Sequence, residues 1–379
     1  MNKLLFLALV SLATGCKEKY ISPAPLVTTG YLVVEGVINN GGGVTNLKLS
    51  RTTDLKNNSN ITERAAIVKL ESSSNGVLQL KENFAGNYSI DNLQLDTSLK
   101  YRLNIITGNN EQYLSDFVKI RNNPPIDSIS WTRQNKGVEI FVNTHDPQNN
   151  SLYYQWQYDE TWEFHSAYFA TLKYIIQANT GIKLGVTARL PTDPEMYVCY
   201  QSNSSTSLLL GSSVKLSQDI IHLPVTLVPN ASWKLSVLYS VFVKQYTWSR
   251  EGYDFLERMK KNTESVGSVF DAQPSELNGN IHCISNPALP VIGFFNICTV
   301  REKRIFIKNS ELPLWGFSEG CTTEVIENNR DSILKKASGL LPVDVAKGDP
   351  FLIISFNAAP PSCVDCTLRG TNVKPFFWP

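Results

Sequence analysis

The chain has 379 residues, of which 18% are charged, with a formal net charge of +1. That charged fraction lies below the roughly 25% common in soluble domains, and the balanced charge gives no support to a nucleic-acid partner. A chain of this length predicts two or three domains of about 100 to 200 residues each, with cores large enough to need no covalent staples.

Residues 1–15 read as an export signal: Lys3, an apolar run over 4–12, and the small residues Ala13, Thr14 and Gly15. The run is too short to span a bilayer, which takes about 20 residues. Cys16 follows at once, and the arrangement resembles a bacterial lipoprotein signal, although Ala13 stands where a larger aliphatic residue is preferred. Cleavage before Cys16 makes its thiol the lipidated N-terminus, with 16–27 as a polar tether containing Pro23 and Pro25. No later stretch is apolar enough to cross a membrane as a helix, so Cys16 is the expected membrane attachment.

From Tyr31 the pattern changes to short strands at 31–38, 45–50, 66–71, 77–81, 88–90 and 101–106, many alternating apolar and polar residues between Asn, Gly, Asp and Ser clusters. Alternation with period two buries one face of a sheet, which predicts a small β-sandwich over 28–121. The run Asn122-Asn-Pro-Pro125 reads as a linker, since proline suppresses both helix and strand pairing. Strands at 126–131, 138–142 and 153–158 then open a second, immunoglobulin-like or transthyretin-like sandwich over 122–232, with Trp131 and Trp156 in its core. In the remaining region, 233–379, a strand at 233–239 precedes helical spacing of Trp248, Gly252, Phe255, Leu256 and Met259, which predicts a helix from about 246 to 262. Arg258, Lys260 and Lys261 crowd its last turn, where positive charge complements the helix dipole. Strands at 279–283, 291–297 and 304–307 and a shorter helix around 325–337 complete a mostly β protein.

Besides Cys16, the cysteines are Cys199, Cys283, Cys298, Cys321, Cys363 and Cys366. An even number in an exported chain favours disulfides, and all six are candidates, with Cys321 bonded to one of the terminal pair as the preferred arrangement.

Several segments together resemble one family: YLVVEG at 31–36, the helix at 253–261, Gly267-Ser268, Gln273-Pro274, LNGNI at 277–281, VIGFF at 291–295, CVDC at 363–366, Gly370-Thr-Asn372 and KPFFW at 374–378. The family is DUF4249, a group of Bacteroidota outer-membrane lipoproteins. The resemblance implies a lipoprotein often encoded beside a TonB-dependent transporter, and by analogy with surface lipoproteins that cover such transporters it implies a partner or lid role. It carries no catalytic residues with it. Lys17-Glu18-Lys19 departs from the acidic stretch that often follows the lipidated cysteine in this group, which leaves the membrane face open. Asp127-Ser-Ile129 and Asp331-Ser-Ile333 resemble short O-glycosylation signals of the same phylum.

Few motifs in the chain carry recognisable chemistry. The chain lacks a G-x-S-x-G elbow, an H-E-x-x-H helix and a phosphate-binding G-x-x-x-x-G-K loop. His145, His165, His222 and His282 are scattered, with no zinc-ligand spacing. Cys363 and Cys366 are three apart, as in redox pairs, but they follow Ala358-Ala-Pro-Pro361 and are expected as structural staples. The loop 145–150 offers oxygen ligands for Ca²⁺ but matches a strand-to-strand turn better. Asp159, Glu160 and Glu163 suggest the paired acids of glycoside hydrolysis only if they converge in space.

The expectation is therefore a non-enzymatic, lipid-anchored outer-membrane protein without cofactor or metal. It would act as an accessory or lid partner of a TonB-dependent barrel and aid capture of cargo at the cell surface. The alternatives are a scaffold for outer-membrane assembly, and a glycan-binding module or enzyme using residues 131–168.

Overall fold

The computed structural model describes residues 30–53, 61–264 and 277–379. The expected export signal, Cys16, the expected tether, Gly267-Ser268 and Gln273-Pro274 lie outside the described residues. The protein is mostly β.

The first six expected strands all form, and they belong to one ten-stranded sheet. The sheet folds on itself because the strand Val77–Phe84 serves both halves. Residues 77–80 pair with Ile67–Ser72, and residues 81–84 pair with Asn87–Asp91 across a register shift at Glu82. Leu32, Leu47, Leu49 and Tyr88 from one half then share a core with Val68, Leu70, Leu103, Ile105 and Tyr113 from the other. The alternation read in the sequence is thus the inward face of this sandwich.

A second sandwich follows, and its composition differs from the sequence reading. A three-stranded sheet of Ile126–Gln134, Gly137–His145 and Ile220–Pro229 packs on a five-stranded sheet. The long strand Tyr153–His165 pairs there with Leu238–Thr247, which in turn pairs with Arg301–Lys308. The boundary expected at 232/233 therefore runs through a sheet, because the strands after it supply the backbone partners that Tyr153–His165 needs. Ile140, Val142, Trp156, Trp162, Phe164, Tyr239 and Val241 fill the shared core, as expected for Trp156, while Trp131 packs half-buried against it.

Residues expected in that second sandwich also leave it. The hairpin Leu172–Ile176 and Lys183–Ala188 packs with the sheet Glu324–Glu327, Ile353–Ala359 and Leu341–Gly348 in a small lobe of its own. Thr171 donates its amide to the Val343 carbonyl at 2.7 Å, so residues far apart in sequence close this lobe.

The Asn122–Pro125 run, expected as a linker, is anchored at its centre, where Asn123 and Pro124 are buried. Gln245 is fully buried in the strand Leu238–Thr247. Its amide nitrogen donates to Asn123 Oδ1 and the Pro124 carbonyl, both at 3.0 Å, and to Thr144 Oγ1 at 3.2 Å. Its amide oxygen accepts from Trp156 Nε1 at 2.8 Å, and Asn123 Nδ2 donates to the Gln245 carbonyl at 2.6 Å. Proline could not donate to a strand ladder, and here it supplies only an acceptor.

Helix α1, Arg250–Glu264, starts later than expected because Tyr246 and Thr247 still pair with Gln155 and Tyr154. Ser249 Oγ accepts from the Gly252 amide at 3.0 Å and caps the first turn. The shorter helix forms as Arg330–Lys336, capped by Asn329.

Cys199 is bonded to Cys366 and Cys321 to Cys363. The C-x-x-C cysteines thus take separate partners, each stapling a distant segment. Cys283 and Cys298 correct the sequence reading, since both are free and buried in paired strands. Burial pushes the Cys298 thiol up to about 12, against the opposing effects of Thr247 and Arg121.

Two outcomes are expected. Gln245→Leu, which leaves buried donors and acceptors without partners, lowers unfolding free energy by roughly 2–4 kcal/mol in denaturant titrations with circular dichroism. Thiol alkylation at pH 8 without reductant modifies none of the described cysteines in the native protein, and it modifies Cys283 and Cys298 alone among them after denaturation.

Candidate functional site

The segment 280–298 crosses both edges of the first sandwich. Ile281–Cys283 adds to the strand Gln112–Ser115, the Ile292 carbonyl accepts from the Val34 amide at 2.8 Å, and Ile297–Cys298 pairs in parallel with Ile38–Asn39. Buried Asn280 closes the crossing loop: its amide donates to the Phe295 carbonyl at 3.0 Å and its oxygen accepts from the Phe295 amide at 2.7 Å. Asn296 Nδ2 donates to the Thr247 carbonyl at 2.9 Å and so ties the crossing segment to the second sandwich.

A cavity of about 420 Å³ lies where these parts meet. One wall is the edge strand Leu32–Gly36, with Val33 and Glu35, continued by Val37. The second is the outer face of the five-stranded sheet, with Gln155, Gln157, Lys244, Tyr246 and Glu302. Helix α1 contributes Phe255, Leu256 and Met259, and the crossing segment contributes Ile292, Gly293 and Phe294. Trp248 and Phe294 lie near edge-on with ring centroids 6.2 Å apart, bracing the helix on the crossing segment.

Close backbone approach shapes this cavity. Gly293 has φ +154°, and a Cβ there would stand 2.5 Å from the Val34 carbonyl oxygen. Gly36 has φ +126°, and a Cβ there would stand 2.4 Å from the Asn46 carbonyl oxygen. The glycine of VIGFF is therefore where the crossing segment comes too close to the edge strand for a side chain, and the glycine of VVEG is where that strand comes too close to its own neighbour at Asn46.

The polar wall is organised by strand alternation. Tyr246 donates its hydroxyl to Gln157 Oε1 at 3.1 Å, and burial raises its pKa above the ordinary tyrosine value. Lys244 Nζ lies 3.2 Å from Asp159 Oδ2 and stands across the ladder from Glu302. Beyond them Arg304 lies over Phe242 at 4.5 Å and Phe377 at 3.6 Å, while Trp378 Nε1 donates to Glu163 Oε2 at 2.9 Å. The site offers an apolar floor, amide hydrogen bonds and fixed charges, a combination suited to holding a molecule.

The other residues singled out in the sequence are dispersed. Asp159 and Glu163 share the outer sheet face, but Glu160 points inward, buried against Lys234 Nζ and the Tyr239 hydroxyl, so the acids do not form one set. Asp146 accepts the amides of Gln148, Asn150 and Ser151, each at 3.0 Å, which makes 145–150 a turn whose carboxylate is already engaged. His145 pairs with Asp127, His165 with Glu163 and His282 with Asp116, while His222 stacks on Phe141. Among the described residues no group of three His, Cys, Asp or Glu side chains is placed to hold a metal ion. Ile129 and Ile333 of the two glycosylation-like triplets are buried. Gln155, Gln157, Lys244 and Glu302 escaped sequence reasoning. The signal was present, since period two places Gln155 and Gln157 on the face opposite Trp156.

A family model described as "Domain of unknown function (DUF4249)" matches residues 18–304. Among solved structures, the chain is similar to one titled "Crystal structure of trypsin activated alpha-2-macroglobulin from Escherichia coli", at 12% identity over 59% of this chain, with a TM-score of 0.19. The match spans only 15% of that chain. No curated protein matches.

Gly293→Ala is expected to lower stability by at least roughly 1–3 kcal/mol, because it adds a steric collision to an unfavourable backbone conformation. Gly320→Ala, at φ +64° with open space around it, is the control, with a loss of about 1 kcal/mol or less. Thermal melts of both variants check the difference.

Proposed function

Because the chain belongs to the DUF4249 family, we propose that it is a Bacteroidota outer-membrane lipoprotein, anchored through Cys16, that docks on a TonB-dependent transporter and helps capture or retain its cargo. The reading assigns it a binding role rather than an enzymatic one. One observation carries it: three segments distant in sequence, 31–36, 253–259 and 291–295, converge on one cavity at the seam between two sandwiches. Those segments are among the ones that carry the family resemblance, and here they surround a space rather than only filling a core. The lipid confines the protein to two dimensions and raises its effective concentration beside the barrel. A β body whose parts are joined by buried hydrogen bonds then presents the cavity at a fixed geometry.

Mild-detergent purification of the lipidated protein from native outer membranes, followed by mass spectrometry, tests this. The expected result is a stoichiometric TonB-dependent barrel, with Cys16→Ala releasing the protein from the membrane fraction. Recovery of the protein alone from intact membranes would defeat the partner reading, and recovery with assembly machinery would replace it by the scaffold alternative.

A further inference from the structure

Helix α1 separates two cavities. Its apolar side closes the one described above, and its other side, with Glu251, Asp254 and Arg258, lines a second cavity of about 690 Å³. Four cationic side chains line this space: Lys100, Lys119, Arg121 and Arg258.

Their setting is unusual for residues with only a structural role. Arg121 is pinned through its backbone, its amide donating to the Ile297 carbonyl at 3.0 Å and its carbonyl accepting from Thr299 at 3.1 Å. Its guanidinium is partly withdrawn from water, which lowers its pKa, and among the described residues it has no hydrogen-bond or ion-pair partner. Arg258 Nε is buried with no partner, and Arg258 Nη2 reaches the Asn278 carbonyl only at 3.5 Å. Lys100 and Lys119 stand directly opposite each other in the pairing of Lys100–Ile106 with Val118–Lys119, an arrangement that costs energy unless an anion offsets it.

Three carboxylates, Asp116, Glu251 and Asp254, line the same space. Asp254 lies 3.9 Å from Arg250, and Asp116 lies 3.4 Å from His282. Glu251 is held by its own backbone amide and the Ser249 side chain, which keep it ionised, and it reaches Arg121 only through longer-range attraction. A guanidinium half out of water is stabilised best by oxygens that take its N–H groups in pairs.

We propose that this cavity binds a phosphate group, held between the Arg121 and Arg258 guanidiniums with Lys100 and Lys119 at its mouth. The four cations outnumber the three carboxylates of the lining, and two guanidiniums that lack close ion-pair partners suit a phosphate better than a single carboxylate. The phosphate is either free or the headgroup of an anionic lipid, and the site is separate from the cargo cavity.

The test uses the full chain carrying Cys16→Ser, so that lipidation does not dominate, and reads calorimetric binding and thermal melts. Inorganic phosphate is compared with chloride at matched ionic strength, and short-chain phosphatidylglycerol micelles with phosphatidylcholine micelles. Saturable binding of phosphate, or of phosphatidylglycerol alone, is expected, weakened by about tenfold or more in Arg121→Gln and Arg258→Gln. Binding of inorganic phosphate identifies a free ligand, and binding of phosphatidylglycerol without it identifies a lipid. Arg258 lies on a half-exposed helix face, so Arg258→Gln keeps the fold, which circular dichroism checks. Absence of binding to both probes, or equal binding by both Gln variants and the parent chain, overturns the proposal.

Discussion

The buried amide of Gln245 holds the molecule's parts in register. A side-chain amide placed in a core is costly unless each of its donors and acceptors is met, and Gln245 meets Asn123, Pro124, Thr144 and Trp156 at once. Those partners lie in the chain that leaves the first sandwich, in one sheet of the second and in the other sheet of the second. Hydrophobic burial alone is tolerant of sliding. A fully satisfied polar cluster accepts one arrangement, so the exit from the first sandwich is fixed in direction.

The crossing segment adds a second constraint at a distance from the first. Asn280 closes it into a loop, Asn296 ties it to the strand end at Thr247, and its backbone completes two edges of the first sandwich. Exposed edges invite pairing with other chains, and here a later part of the same chain covers them. Both cavities follow from this crossing. Phe294 stands between them, and α1 turns its apolar side to one and its charged side to the other. An amphipathic helix at a seam can thus divide two chemically different spaces, one with an apolar floor, the other rich in charged side chains.

The disulfides act on another part of the molecule. Cys199–Cys366 joins the second sandwich to the C-terminal turn, and Cys321–Cys363 joins two ends of the small lobe. These are the regions where strands are short and contacts span long sequence separations, so cross-links there remove the most unfolded-state freedom. Cys283 and Cys298 lie in paired strands within well-packed surroundings and behave as small apolar residues.

Much of the fold was legible because its signals are local. Period-two alternation at 45–50 and 101–106 announces a half-buried strand whatever its partner, and the spacing of Phe255, Leu256 and Met259 announces a helix. The export pattern ending at Cys16 and the family resemblance are likewise properties of the sequence alone. Partner choice is not local. Nothing in 153–165 says that its neighbour comes from 238–247 and not from the same region, and nothing in Asn122-Asn-Pro-Pro125 distinguishes a loose linker from one bonded to Gln245. The pairing of cysteines, the separation of Glu160 from Asp159 and Glu163 onto opposite faces, and the meeting of 31–36, 253–259 and 291–295 around one cavity all depend on long-range packing. Their energies come from contacts between residues tens to hundreds of positions apart, which only the tertiary structure brings together.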